Sequence, residues 1–129
     1  MNSPLQQLQW ALQALAQPAE IQISMFPPYV VIADELALEF SHWLQFVISS
    51  SRSLLTDTQV KTLESLDDFI ADSKGSDDAD HWTVLALRSD PFWSRIRSLA
   101  CDALVILDWP VALPPINPVE RGAIYLRRE

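Results

Sequence analysis

The chain has 129 residues, a net charge of −8 and a hydrophobic content of 49%. This length is that of one domain with a hydrophobic core, and the apolar content excludes a disordered chain. Two glycines and nine prolines leave little material for tight hairpins or phosphate-binding loops, which favours helices joined by stiff connectors. We therefore expect a single domain over residues 1–129.

The first predicted element is a helix that begins at Ser3 and ends before Pro18. Ser3 and Gln6 form a Ser-x-x-Gln capping signal, with Pro4 at the first helical position. Trp10 lies away from the apolar stripe of this helix, so it either packs against a second neighbour or is exposed. The stripe consists of leucines at helical spacing: Leu5, Leu8, Leu12 and Leu15.

Residues 20–32 and 110–126 are the ambiguous parts of the pattern. Ile21, Ile23 and Met25 alternate with polar residues, which indicates a short extended segment that ends at the prolines 27 and 28. Four prolines in residues 110–121 predict an extended or turning segment there, and residues 122–126 are a candidate terminal strand. If these pieces pair, residues 21–25 pair with residues 122–126.

The long middle of the chain predicts three more long helices and a short one. A helix over about residues 33–49 has its apolar face at Leu36, Phe40, Trp43, Leu44 and Val47. A second capping box, Thr56-x-x-Gln59, begins a helix that ends near the basic residue 74 and glycine 75. A short helix is expected over about residues 81–88. Asp90 and Pro91 then begin the last long helix.

These elements together predict a mainly α, compact domain of four long helices and one short helix. A small two-stranded β pairing of residues 21–25 with 122–126 is the only sheet that the sequence allows. The capping signals and the apolar periodicity agree with each other along the chain, which supports the assignment of helices.

The stretch Glu35-Leu-Ala-Leu-Glu39-Phe-Ser-His42 is the pattern closest to a metal site. Its two carboxylates and its imidazole share a helix face, and Glu39-x-x-His42 is a half-motif of di-metal helical bundles. The second histidine of the chain, His81, follows Asp78 at the same spacing. However, the stripe points away from the predicted apolar face, whereas metal ligands in bundles project inward. We expect a solvated stripe, both histidines at the surface, and no cofactor or metal.

Other catalytic patterns are weaker still. Cys101 is the only cysteine, and it has no histidine base placed beside it in the sequence. The chain contains no nucleophile elbow, no Walker or Rossmann motif and no Cys-x-x-Cys pair. No catalytic residue is assigned, and the sequence favours a protein without enzymatic activity.

An acidic run over residues 64–80 is the most informative surface feature. It holds seven acidic residues opposed by the single lysine at position 74. Such a run is either a solvated helix surface or a docking site for a basic partner, where its field speeds association. The partner-binding candidates are this run and two tryptophans outside the predicted stripes: Glu64, Asp67, Asp68, Asp72, Asp77, Asp78, Asp80, Trp82 and Trp10.

The charge and the termini limit the partners and the compartment. A net negative field repels nucleic acids and anionic membranes, so we expect neither as a partner. The N-terminus lacks the basic start and apolar core of a signal peptide, and a single cysteine suits a reducing interior. The sequence therefore predicts a cytoplasmic protein with a basic protein partner, and it leaves a homo-oligomer open.

In small size, acidity and lack of catalytic motifs, the chain is similar to bacterial immunity proteins and toxin inhibitors, which is a likeness of properties. The leading hypothesis is a non-enzymatic interaction protein, such as an inhibitor or immunity protein for a basic toxin or nuclease. One alternative is a metal-binding helical enzyme that uses Glu35, Glu39, His42 and His81. Another is an assembly or adaptor subunit whose tryptophan-bearing surface packs against a second copy.

Overall fold

The computed structural model describes residues 3–74 and 79–127, and within these ranges the chain forms helices and no strand. The prediction of a mainly helical protein is confirmed. In chain order the α-helices are α1 (Pro4–Ala16), α2 (Ala19–Ser24), α3 (Ile32–Ser51), α4 (Asp57–Lys74), α5 (Val84–Ser89), α6 (Pro91–Ile106) and α7 (Pro118–Arg121). Short 3-10 segments lie at Arg52–Leu54, Ala79–Trp82 and Ile124–Arg127.

The four long helices share one core. Helix α1 packs on α3 and α6, and α4 packs on the same two helices. Each of the four contributes side chains with no more than 2% of their surface exposed, and these include Leu8, Leu12, Phe40, Leu44, Leu63, Leu66, Trp93 and Ile96. Burying one such side chain contributes about 1.5 to 3 kcal/mol, so this cluster is the main favourable term in folding.

The helix starts follow the capping signals of the sequence. Ser3 Oγ accepts a hydrogen bond from the backbone N–H of Gln6 at 3.1 Å. At the start of α4 the box is reciprocal: Thr56 Oγ1 accepts from Gln59 N–H at 3.1 Å, and Gln59 Oε1 accepts from Thr56 N–H at 2.9 Å. Each cap satisfies backbone donors that the first turn of a helix leaves open, which fixes where the helix begins.

The short helix expected over residues 81–88 is divided in two. A 3-10 turn ends at Trp82, and Thr83 then caps α5, because its Oγ1 accepts a hydrogen bond from Ala86 N–H at 3.0 Å. Asp90 begins α6 in the same way through Phe92 N–H at 2.9 Å. Two cap residues seven positions apart therefore turn the chain twice in a short distance.

The predicted strand at residues 21–25 is wrong, because residues 19–24 form α2. Gln22 is completely buried, and its Nε2 donates to the backbone carbonyls of Ala14 and Leu15, both at 3.1 Å. These carbonyls belong to the last turn of α1, where Pro18 stops the helix and leaves acceptors open. The glutamine that closes this end of α1 has to point inward. A helical turn gives Gln22 this direction, and the expected strand does not.

The predicted strand at residues 122–126 is wrong for a related reason. Asn117 Oδ1 caps the one-turn helix α7 through Val119 N–H at 3.0 Å, and Gly122 ends it with φ of +72°. That conformation suits glycine, and a Cβ there would lie 2.6 Å from Nε2 of Gln7 on α1. The C-terminal segment therefore folds as turns against α1 and α3, and no strand pair forms among the described residues.

Within residues 3–74 and 79–127, no helix combines the length and the apolar character that crossing a membrane requires.

Candidate functional site

Three carboxylates of α4 form an exposed row. Glu64, Asp68 and Asp72 follow one another at intervals of four residues, and all three are exposed. The buried side of the same helix carries Val60, Leu63, Leu66 and Ile70. We call Glu64, Asp68 and Asp72 the acidic row. Lys61, which is also exposed, is on the same side of the helix.

Asp67 belongs to a different environment from the acidic row. It is half-buried between α4 and α3, where it accepts hydrogen bonds from the side chains of Ser41 and Gln45. Burial raises the pKa of Asp67, and the two hydrogen bonds act in the opposite direction. The structure therefore places Asp67 in the α3–α4 contact.

The other three candidates of the acidic run lie in the sequence within or close to residues 75–78, which the structure does not describe. Asp77 and Asp78 lie outside the described residues. Asp80 is part of the 3-10 turn at Ala79–Trp82, but its side chain lies outside the described set.

The two tryptophan candidates are both partly buried. Trp82 packs edge-on against Phe92 and Trp93, with ring centroids 5.8 and 5.7 Å apart. Trp10 lies on α1 with intermediate exposure. Trp82 thus contributes to an aromatic cluster over the start of α6, which gives it a packing role in the free protein.

His81 lies in the same cluster, and the expectation of a surface histidine is wrong for it. Its Nδ1 is 2.6 Å from Asp90 Oδ2, both side chains are 21% exposed, and its ring stacks on Phe92 with centroids 4.5 Å apart. Partial burial raises the pKa of Asp90, but the backbone hydrogen bond from Phe92 and the contact with His81 outweigh it, so that the pKa is lowered. Asp90 therefore joins the cap of α6 to the preceding turn.

Glu35 and Glu39 are the main correction to the sequence-based expectation. Their side chains are 3% and 6% exposed, whereas the stripe was expected to be solvated. The remaining member of the stripe, His42, is exposed and lies edge-on against Trp43, with centroids 4.7 Å apart. The buried arc of α3 is wider than its apolar stripe because the C-terminal segment covers the glutamate side of the helix.

Arg121 of α7 is a cation that is buried near these carboxylates. Its side chain is 3% exposed, and burial lowers its pKa, an effect that the negative charge of Glu39 opposes. The guanidinium donates to three backbone carbonyls, those of Pro115, Ile116 and Met25, at 2.9, 3.0 and 3.1 Å. It thereby ties the proline-rich connector and the α2–α3 linker to α7.

The four candidate metal ligands are not brought together. Among the described residues, no group of three or more histidine, cysteine, aspartate or glutamate side chains is placed to hold a metal ion. Glu39 has a guanidinium as its cationic neighbour, and His81 is hydrogen-bonded to Asp90. Glu39 is thus a buried carboxylate within the electrostatic field of a buried guanidinium that the chain itself supplies.

An apolar pocket of about 450 Å³ lies between the α2–α3 linker and the C-terminal segment. Several large side chains in its wall are exposed to solvent, among them Tyr29 at 77%, Val119 at 76%, Ile116 at 44% and Leu126 at 43%. Tyr125 also lines it and packs against Phe26, with ring centroids 5.6 Å apart. Exposed apolar side chains gathered around a concave site are typical of binding surfaces. We call this site the Tyr125 pocket.

No family model, no curated protein and no solved structure matches this chain. The site is therefore defined by its own geometry.

Sequence reasoning missed three residues that organise these sites: Asp90 as the partner of His81, Arg121, and Tyr125. The sequence pattern indicates Asp90 only as a helix cap. The signal for Arg121 was present in the sequence, since Asn117-Pro118 is a helix start and Gly122 a helix end. A one-turn helix between them would have placed Arg121 in its last turn. Tyr125 carried no signal, because its position depends on the turn that follows Gly122.

Replacing Arg121 with methionine should lower the free energy of unfolding by about 3 to 5 kcal/mol at pH 7, because it removes three hydrogen bonds to backbone carbonyls and a positive charge that acts on the buried Glu39. Adding Glu39→Gln to that variant should restore part of the loss, as measured by urea denaturation. Arg88→Met, which removes the exposed contact with Glu20, should cost much less, because solvent screens an exposed ion pair. Strictly additive losses for Arg121→Met and Glu39→Gln would contradict an electrostatic interaction between the two side chains.

Asp90 should give a pH-dependent term to stability. Its folded pKa is lowered, so its charge stabilises the fold above the pKa of the unfolded chain, about 3.9. That contribution is lost as the pH falls from there through the folded value. Asp90→Asn keeps a side-chain oxygen for the cap but has no charge. The difference in unfolding free energy between wild type and this variant should be largest near neutral pH and should vanish in acid. A difference that is independent of pH would contradict this assignment.

Proposed function

We propose that the protein is a non-enzymatic interaction protein that binds a basic protein partner through the acidic row of α4, as an inhibitor or immunity protein for a toxin or nuclease does. The observation that carries the proposal is the exposure of Glu64, Asp68 and Asp72 in consecutive turns of a helix whose other side is fully packed.

The cost of the row to the free protein supports this function. Like charges four residues apart destabilise a helix by a few tenths of a kcal/mol per pair, and the row contains two such pairs. Helix α4 is anchored by its capping box and its apolar side, so its packing does not need these carboxylates. A basic partner would relieve the repulsion when it binds.

The net charge of the whole chain also favours a basic partner. At −8, the protein attracts a cationic partner over a distance of about a Debye length, roughly 8 to 10 Å at moderate salt. Such steering raises the association rate more than it raises the affinity. An inhibitor that must capture a toxic protein quickly benefits from this property.

The alternatives have less support. A metal-binding enzyme would need Glu35, Glu39, His42 and His81 near one ion, and Glu39 instead neighbours the guanidinium of Arg121. An adaptor that uses its tryptophans would have to expose them, and Trp82 is packed against the aromatic residues at the start of α6.

The experiment begins with capture of partners on the immobilised protein at low salt and release at high salt. The association rate of the captured partner is then measured by stopped flow for the wild type and for Glu64→Lys, Asp68→Lys, Asp72→Lys combined. We expect the rate to fall about tenfold or more and its dependence on salt to flatten.

The control variant has the same net charge and a different distribution. It combines Glu20→Lys, Asp102→Lys and Glu120→Lys, three exposed positions outside α4. Its association rate should change much less than that of the row variant. Equal rates for the two variants would remove the acidic row from the interface, and capture of an acidic partner would contradict the proposal as a whole.

A further inference from the structure

A small cavity lies between α1, α3 and α7. Its volume is about 10 Å³, and one water molecule needs roughly 10 to 15 Å³ of such space. Part of its wall is apolar and includes Ala11, Ala14 and Leu36. The wall also contains three buried polar side chains, which are those of Gln7, Glu39 and Arg121. We call this space the Arg121 cavity.

One N–H group of the Arg121 guanidinium has no partner among the described residues. Nη1 donates to the carbonyls of Pro115 and Ile116, and Nη2 donates to that of Met25. The remaining nitrogen, Nε, is buried and makes no hydrogen bond within the described part of the chain. An unpaired buried donor costs free energy, and the cost is larger when the donor belongs to a charged group. An acceptor in the cavity would remove this cost.

Gln7 of α1 is held beside the residue that follows Arg121. Its side chain is 6% exposed, and a Cβ on Gly122 would lie 2.6 Å from its Nε2 and 3.1 Å from its Oε1. The glycine therefore leaves the space that the amide of Gln7 occupies next to the end of α7. Because an amide has an acceptor and two donors, Gln7 can bind a polar group in the cavity in either sense.

Glu39 brings negative charge to the same cavity. Its charge raises the pKa of Arg121, against the lowering caused by burial, so the carboxylate is within electrostatic reach of the guanidinium. A carboxylate has about four acceptor sites. Glu39 can therefore accept one more hydrogen bond in addition to its other interactions.

The size and the charge of the Arg121 cavity limit what it can bind. A volume of about 10 Å³ has no room for an organic molecule or a hydrated ion. A bare metal cation would be repelled by the positive charge of Arg121. An apolar cavity stays dry, whereas a cavity that offers a water molecule two to four polar partners is occupied. Water is the occupant that fits.

We propose that the Arg121 cavity binds one ordered water molecule, which joins the C-terminal segment to α1 and α3. The water accepts a hydrogen bond from Nε–H of Arg121 and donates to the carboxylate of Glu39 and to the amide oxygen of Gln7. Three hydrogen bonds are the usual number, about three, for a buried water. This inference does not depend on the proposed function, since none of the three side chains lies on α4.

The test detects the water by NMR in the full chain. Ala11 and Ala14 line the cavity, and their methyl protons do not exchange with solvent. We expect cross-peaks between water and these methyl groups in which the NOE and the ROE have opposite signs, because the water stays bound for longer than the protein takes to tumble. Leu63 of α4 is completely buried and lies outside the cavity, so its methyl groups should show no such cross-peak.

Two buried glutamines of α1 give a matched pair of variants. Gln7→Met keeps the size of the side chain and removes the amide, so the water loses one of its three partners and the cross-peaks should weaken severalfold or vanish. Gln13→Met removes an amide that is 3% exposed and donates to the carbonyl of Pro110, outside the cavity. Its cross-peaks should match those of the wild type.

The absence of such cross-peaks at Ala11 and Ala14 in the wild type would overturn the proposal, and this measurement needs no variant. Cross-peaks of equal intensity in Gln7→Met and Gln13→Met would overturn the assignment of the water to these three side chains.

Discussion

A guanidinium buried between α3 and the C-terminal segment is the constraint on which much of the structure depends. A cation in the interior needs both opposite charge and hydrogen-bond acceptors, since its desolvation is otherwise too costly. For Arg121, the opposite charge comes from Glu39. The hydrogen-bond acceptors are the carbonyls of Met25, Pro115 and Ile116. Three separate parts of the chain are thereby held together, and the Tyr125 pocket forms where two of them meet.

The long helices could be predicted because their signals are local. Capping residues such as Thr56 and apolar side chains at helical spacing lie within one turn of each other, and they need no information from distant parts of the chain. The position of α2 could not be predicted in this way. Its conformation depends on Gln22 reaching the end of α1, and the alternation of Ile21 and Ile23 concealed that contact.

The candidate sites show the same difference between local signals and contacts that join distant parts of the chain. The acidic row could be read from the spacing of Glu64, Asp68 and Asp72, because a helix with one known apolar side fixes its opposite face. The same spacing also places Asp67 beside Leu63, which explains its contact with α3. The burial of Glu35 could not be predicted from the sequence, because it depends on a C-terminal segment that looked extended and folds as one turn of α-helix and a short 3-10 segment.

The C-terminal segment is a docked part of the core, held by the buried Arg121. Native-state hydrogen exchange of the backbone amides of Arg121, Gly122, Ala123 and Leu126, each of which donates to a backbone carbonyl, tests it most directly. If Arg121 holds the segment, these amides exchange slowly, with protection approaching that of the amides of α3. Exchange at the rate of an unfolded chain, with α3 still protected, would show instead that Arg121 does not hold the segment in place.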